Sequence, residues 1–196
     1  QEAAAISTGS DAHADDFAVT ADAEGAVSAD GVAAAAGVVA GTGVAATAED
    51  NRSAKVVMAS GAEVHGDDVE FTAEREPDID AEASGGALAA AASAGASVAD
   101  AVNGGSITAE LNGTVDGAET LTLRGRQSTG DAGETARSRA IAANAGVYLG
   151  ANAAAATTKA TGDVTAEVGA SAELDVADSI DVHADRDAGL EAGASG

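Results

Sequence analysis

Several stretches of the chain alternate apolar and polar residues with a period of two. Val69, Phe71 and Ala73 alternate with Asp68, Glu70 and Thr72, and Ile107, Ala109 and Leu111 alternate with Thr108 and Glu110. Ile180, Val182 and Ala184 alternate with Asp181, His183 and Asp185. Asp78-Ile79-Asp80-Ala81-Glu82-Ala83 repeats the pattern with acids and small apolar residues. Successive side chains of a strand point to opposite faces, so each stretch predicts a half-buried β-strand. Between them run Ala/Gly tracts at 31–48, 85–102 and 140–157. Alanine is the best helix former, but Gly37, Gly41, Gly43, Gly85, Gly86, Gly95, Gly146 and Gly150 would each cost about 0.8–1 kcal/mol in a helix interior. Strands are therefore expected here too. A membrane span is not: it wants about 20 mostly large apolar residues, and these tracts hold small ones together with Asp100, Asn144 and Asn152.

The strands recur. ADDFAVTA at 14–21 returns 52 residues on as GDDVEFTA, again 52 residues on as AETLTLRG, and after 59 more as ADSIDVHA. SAKVVM, SITAEL and DVTAEV, ending at Met58, Leu111 and Val168, follow the same rhythm, and an Ala/Gly tract lies in each interval. The chain reads as one array, 1–196, of partial copies at about 1–58, 59–111, 112–168 and 169–196. Recurring strands joined by Gly- or Asp-rich corners predict an all-β fold, a parallel β-helix-like solenoid with a thin Ala/Gly-rich core. Copies of a position then stack in columns: Phe17, Val69, Leu121 and Ile180; Val19, Phe71, Leu123 and Val182; Met58, Leu111 and Val168. Inward Ala and Gly would let two sheets approach more closely than the usual ~10 Å. A repeat this long predicts two or three rungs per copy. Pro77 is expected at a corner between two strands, where its missing N–H does little harm.

Composition narrows the role. Aromatics make up 2% of the chain, so a single core of ordinary width is poorly supplied. The formal charge of −24 repels nucleic acid and anionic membranes. An acidic surface whose only lysines are Lys55 and Lys159 stays soluble in strong salt, which points to a halophilic or marine source. No cysteine is present, which removes disulfides, thiolate metal sites and cysteine nucleophiles. The opening QEAAAISTG has neither the basic nor the apolar stretch of a secretory signal. Asn51-Arg52-Ser53 and Asn112-Gly113-Thr114 are glycosylation sequons at Asn51 and Asn112.

Ser93-Ala94-Gly95-Ala96-Ser97-Val98-Ala99, then Asn103, Ser106-Ile107-Thr108-Ala109, Gly113-Thr114-Val115 and Leu121-Thr122-Leu123 resemble the repeats of giant secreted bacterial adhesins. These are the filamentous-haemagglutinin-like and autotransporter-passenger-like proteins. The resemblance implies a rod-like, extracellular or cell-surface module, non-catalytic, that serves adhesion or builds a biofilm matrix, with a cell-surface or polysaccharide ligand. The acidic excess and Val44-Ala45-Ala46-Thr47 in the first copy depart from the family pattern.

Among candidate chemical groups, Asp67-Asp68 and Asp78/Asp80 offer carboxylate pairs of the kind some glycoside-cleaving proteins use. Asp15-Asp16 repeats the first pair in another copy, so a solvated acidic face is preferred and no catalytic residue is assigned. Hard oxygen ligands favour Ca²⁺ over a transition metal, with Asp15, Asp16, Asp67 and Asp68 as candidate ligands and no other cofactor. His13 and His65 share a repeat position, but Gly117 stands 52 residues beyond His65, so a turn role is preferred to a metal role. Arg124, Arg126, Arg137 and Arg139 concentrate in the third copy, either against a neighbouring subunit or against acids of the same face. The chain starts and stops mid-repeat without a polar cap, which points to end-to-end stacking or to continuation in a longer chain. A structural segment of an adhesin or self-assembling fibre is the leading expectation; a polysaccharide-binding or polysaccharide-cleaving β-helix is the alternative. Sugar stacking would want exposed aromatics, and with Phe17 and Phe71 in inward columns only Tyr148 is left for it.

Overall fold

The computed structural model describes residues 2–7, 9–129, 133 and 135–196. Among these there are strands and no helix, so nothing helical is long and apolar enough to cross a membrane. The strands are β1 Glu2–Ile6, β2 Asp11–His13, β3 Asp16–Asp50, β4 Ala54–Met58, β5 Glu63–His65, β6 Asp68–Asn103 and β7 Ile107–Leu111. They continue with β8 Thr114–Gln127, β9 Ala136–Gly146, β10 Leu149–Ala160, β11 Val164–Val168, β12 Glu173–Arg186 and β13 Leu190–Ser195. The uncharged tract 31–48 lies inside β3, and the Ala/Gly tracts are strand throughout apart from the bend at Val147–Tyr148.

Every pairing is parallel, and each strand lies beside its own counterpart from the next copy. One sheet runs β1-β4-β7-β11, with Ile6, Met58, Leu111 and Val168 in register. In the larger sheet β3 pairs with β6, and β6 with β8, β9 and β10. Phe17, Val69, Leu121 and Ile180 are neighbours there, as are Val19, Phe71, Leu123 and Val182. Asp16 pairs with Asp68 and Asp68 with Thr120, so a whole copy intervenes between neighbours. One copy therefore adds a single layer to the parallel stack, not two or three.

The lap takes 52 residues because half of it doubles back. β3 has a register break between Gly37 and Val39, and in the third copy the chain bends at Val147–Tyr148 between β9 and β10. The outgoing and returning limbs press together: a Cβ on Gly31 would sit 2.8 Å from Val44 Cγ2, and one on Gly85 2.8 Å from Ser97 Oγ. Only a stripped side chain fits at these two points. The space between the limbs holds Ala46, Ala48, Ile79, Ala81, Ala83, Ala99, Ala101, Ala136 and Ala140. A second, thicker core carries the large side chains. There Met58, Ile107 and Leu111 of the small sheet meet Val64, Val69, Phe71, Val115, Leu121 and Leu123. Pro77 lies inside β6 rather than at a corner. It is tolerated because the ladder to the third copy is interrupted between the Arg75–Gln127 and Asp80–Arg137 pairs.

Between the two cores a buried polar cluster joins outgoing and returning strands. Arg75 is fully buried; its Nη2 is ion-paired with Asp50 Oδ2 (2.9 Å) and donates to the Asp50 carbonyl (3.1 Å), and its Nη1 donates to Asn103 Oδ1. Arg52 closes the cluster from outside, donating from Nε to Asp50 Oδ1 (2.9 Å) and from Nη2 to Asp50 Oδ2 (2.8 Å).

Candidate functional site

The short strands β2 and β5 and the start of β8 form a three-strand patch at one corner of the lap. Ala12, Val64 and Val115 point inward, with Val64 and Val115 completely buried. Period two then turns the residues on either side outward. Asp11, Glu63 and Thr114 make one outward column, and His13, His65 and Asp116 the next.

The two imidazoles stack face to face, with centroids 4.2 Å apart and planes 9° from parallel. Carboxylates surround them. Asp11 Oδ1 lies 3.1 Å from His13 Nε2 and 3.7 Å from His65 Nε2. Glu63 Oε1 is 3.3 Å from His65 Nε2, and Asp116 Oδ2 is 3.2 Å from His65 Nδ1. Ligand atoms of Asp11, His13 and His65 all fall within 4.8 Å of one another, as do those of Glu63, His65 and Asp116. His65 is the most sheltered member, with 26% of its side chain exposed against 68% for His13.

This cluster corrects the reading of the histidines as turn residues. In register, the residue beside His65 is Asp116, not Gly117. Gly117 is an extra residue with φ of 72°, inserted at the corner before the ladder resumes at the Asp68–Thr120 pair. A fixed offset of 52 lands on the insertion and steps over the carboxylate. The four aspartates proposed as ligands lie elsewhere. Asp15, Asp16, Asp67 and Asp68 are exposed at the following corner, where Asp68 Oδ1 accepts a hydrogen bond from Thr120, and none belongs to a three-ligand group.

The other singled-out residues are spread over the outer faces. The amide of Asn51 donates to Glu49 Oε1 and that of Asn112 to Glu110 Oε1, both at 2.7 Å. Arg126 lies between Glu74 and Asp185 in its column, 3.7 Å from Glu74, and Arg137 between Asp80 and Glu191, 3.4 Å from Asp80. Arg126 and Arg137 thus face acids of the same chain, and Arg139 stands beside Glu82, whereas Arg124 lies between Thr72 and His183. Between copies one and two the register sets acid against acid: Asp16 abuts Asp68, Asp22 abuts Glu74, Glu24 abuts Glu76 and Asp30 abuts Glu82. Burial, followed by the neighbouring Glu24, raises the Asp22 carboxyl above its ordinary value.

The bend of the thin limb presents apolar side chains to solvent: Val38, Val39, Leu88, Val147, Tyr148 and Leu149 are all exposed. Phe17 and Phe71 are interior, with centroids 6.1 Å apart, as the period-two pattern requires. Comparisons with protein-family models, with curated proteins and with solved structures give no match to this chain.

Proposed function

We propose that the chain is a segment of a β-solenoid with a structural, non-catalytic role, in an extracellular adhesin or a self-assembling surface or matrix fibre. The observation that carries this reading is the in-register parallel stacking of whole 52-residue laps. β3 is 35 residues long and, among the described residues, has β6 as its one strand partner, so the other side of a very long ladder is not covered by a strand. Such an edge is a template for another strand. Because the stacking is parallel and each lap repeats its predecessor, a further lap added to either side, from the same chain or from a second copy, meets the same columns. The acidic outer faces, solvated and repeated from lap to lap, fit a surface or matrix component whose cohesion responds to salt and Ca²⁺.

The test is imaging and fibre diffraction of purified material, in dilute buffer with chelator and again in strong salt or Ca²⁺. Rods or filaments with a 4.7–4.8 Å repeat along their length are expected, longer where charge is screened. Isolated particles under every condition, without an axial strand-spacing repeat, would refute it. A polysaccharide role would rest on aromatic platforms, and Tyr148 is the only tyrosine or phenylalanine outside the core.

A further inference from the structure

We infer that the corner formed by Asp11, His13, Glu63, His65 and Asp116 is a binding site for one transition-metal ion of the Zn²⁺ class. The ion would be held by Asp11, His13 and His65, whose ligand atoms lie within 4.8 Å of one another, with the two rings turning out of their stack so that both Nε2 lone pairs converge on it. Glu63, 3.3 Å from His65 Nε2, would complete the set, and Asp116 would act as a positioning residue.

Three features carry the inference. The first is spacing. Nitrogen and oxygen donors about 2.0–2.2 Å from a tetrahedral Zn²⁺ lie roughly 3.3–3.5 Å from each other. The distances from Asp11 to His13 and His65 and from Glu63 to His65 are 3.1, 3.7 and 3.3 Å, close to three of the six edges of such a tetrahedron. The second is orientation. His65 Nδ1 is 3.2 Å from Asp116 Oδ2, and an N–H donated there leaves the Nε2 lone pair pointing at Asp11 and Glu63. A neutral imidazole's lone pair aimed at two carboxylates is repelled by both, which a proton on Nε2 or a cation between them relieves; an ion that also takes up His13 satisfies the whole corner. A metal-bound histidine whose second nitrogen donates to a carboxylate is the recurring arrangement that fixes tautomer and ring direction. The third is donor type. Two imidazoles favour zinc-class ions over Ca²⁺, which takes six to eight oxygens.

The site also belongs to the stack rather than to one strand. Its donors come from two successive copies and its positioning carboxylate from the third, so a bound ion would pin β2 to β5, with β8 tied on through Asp116, at a corner where the strands are only three residues long or just beginning. His183, the third histidine of the sequence, lacks this setting, with only Asp185 at 2.8 Å. It serves as the internal control.

The experiment is a Zn²⁺ titration of the full chain by calorimetry, with excess Ca²⁺ present to saturate all-oxygen sites, and a parallel Co²⁺ titration read by visible absorption. One tight equivalent is expected, with the intense visible bands of tetrahedral Co²⁺. His13→Ala and His65→Ala should each weaken binding at least tenfold, and the double variant at least a hundredfold. Asp116→Asn should weaken it about 10–100-fold while keeping the tetrahedral spectrum, because it acts through His65. His183→Ala should change nothing. The histidines are outward, so unfolding curves of the metal-free variants should overlay the parent, and His13→Ala, the most exposed, keeps the test valid should His65→Ala fold poorly. Equal Zn²⁺ affinity in the parent and in the His13→Ala variant, or an octahedral Co²⁺ spectrum in the parent, would overturn the proposal.

Discussion

Replacing Asp50 with Asn should destabilise the fold by about 3–5 kcal/mol, the cost of removing one partner of a buried ion pair. Arg75 has no exposed surface, and its guanidinium reaches Asp50 Oδ2 at 2.9 Å, the Asp50 carbonyl at 3.1 Å and the Gly105 carbonyl at 3.4 Å, besides Asn103. With Asn at position 50, only neutral oxygens would face a charge that water cannot reach. The reverse change is milder. Arg75→Met keeps the length and apolar volume, and Asp50 retains Arg52, whose backbone N–H and Nε donate to Oδ1 at 2.9 Å and whose Nη2 donates to Oδ2 at 2.8 Å. Its loss should stay near 1.5–3 kcal/mol, the value of hydrogen bonds to a charged group. Adding Arg75→Met to Asp50→Asn should then restore stability, since the stranded charge is gone. Urea unfolding of the four proteins, followed by circular dichroism at fixed salt, closes the cycle. Equal small losses from both single changes, or no recovery in the double variant, would refute the argument.

The same cluster sets a pH dependence. Burial works against ionisation of Asp50, but the hydrogen bonds from Arg52 and the charges of Arg75 and Arg52 outweigh it and hold the carboxyl below its ordinary value. A carboxyl lowered in the folded state contributes stability that is complete above the unfolded value, near 3.9. That contribution fades as pH falls through the lower folded value. Acid unfolding should therefore begin below about pH 4, and Asp50→Asn should flatten that limb of the curve. Asp22 has the opposite sign: its raised carboxyl is a liability at neutral pH that protonation relieves.

Phe71→Asp should unfold the thick core, because an unpaired carboxylate would replace a ring with no exposed surface, at a loss of roughly 3–5 kcal/mol of packing. Glu70→Lys, one residue away and outward, should change stability by no more than about 0.5 kcal/mol even though its bond from Thr72 Oγ1 is lost; equal damage from the two in thermal melts would contradict the inward and outward assignment. Gly25→Ala should cost about 1–3 kcal/mol in the same assay, since φ is 148° and the new methyl would meet Arg52 Nη1 at 1.7 Å; a neutral effect would mean that Arg52 is free to leave its place. Raising salt from millimolar to molar should raise the melting temperature by screening the acidic columns shared by copies one and two, and an unchanged melt would count against that repulsion.

Much of this was legible in the alternation itself. Parallel in-register stacking preserves sequence offsets, so the columns of Phe17, Val69, Leu121 and Ile180 could be read before any strand was placed. Arg75 was missed for want of following the parity through. Positions 69, 71, 73, 75, 77, 79, 81 and 83 are all buried, and so are 46, 48 and 50, so phase alone puts Arg75 and Asp50 inside together. The histidine corner was hidden by one inserted glycine. Asp11 and Glu63, two residues before each histidine, were the informative neighbours, because period two puts them on the same face. The Asp-Asp pairs that follow the histidines lie round the corner.

The number of laps was not legible, for a physical reason. Repeat length measures the contour of a copy and not its path, and a copy of 52 residues makes one layer if half of it folds flat upon itself. Flatness needs side chains small enough for opposite backbones to touch. The Cβ-free contacts of Gly31 with Val44 and of Gly85 with Ser97 are where the two limbs meet. The alanines that make the chain look too poor for a core are thus what allows so long a repeat to be one layer. The few large side chains, Met58, Phe71, Leu111 and Leu123, are gathered in the other lobe, where the lap opens wide enough to need them.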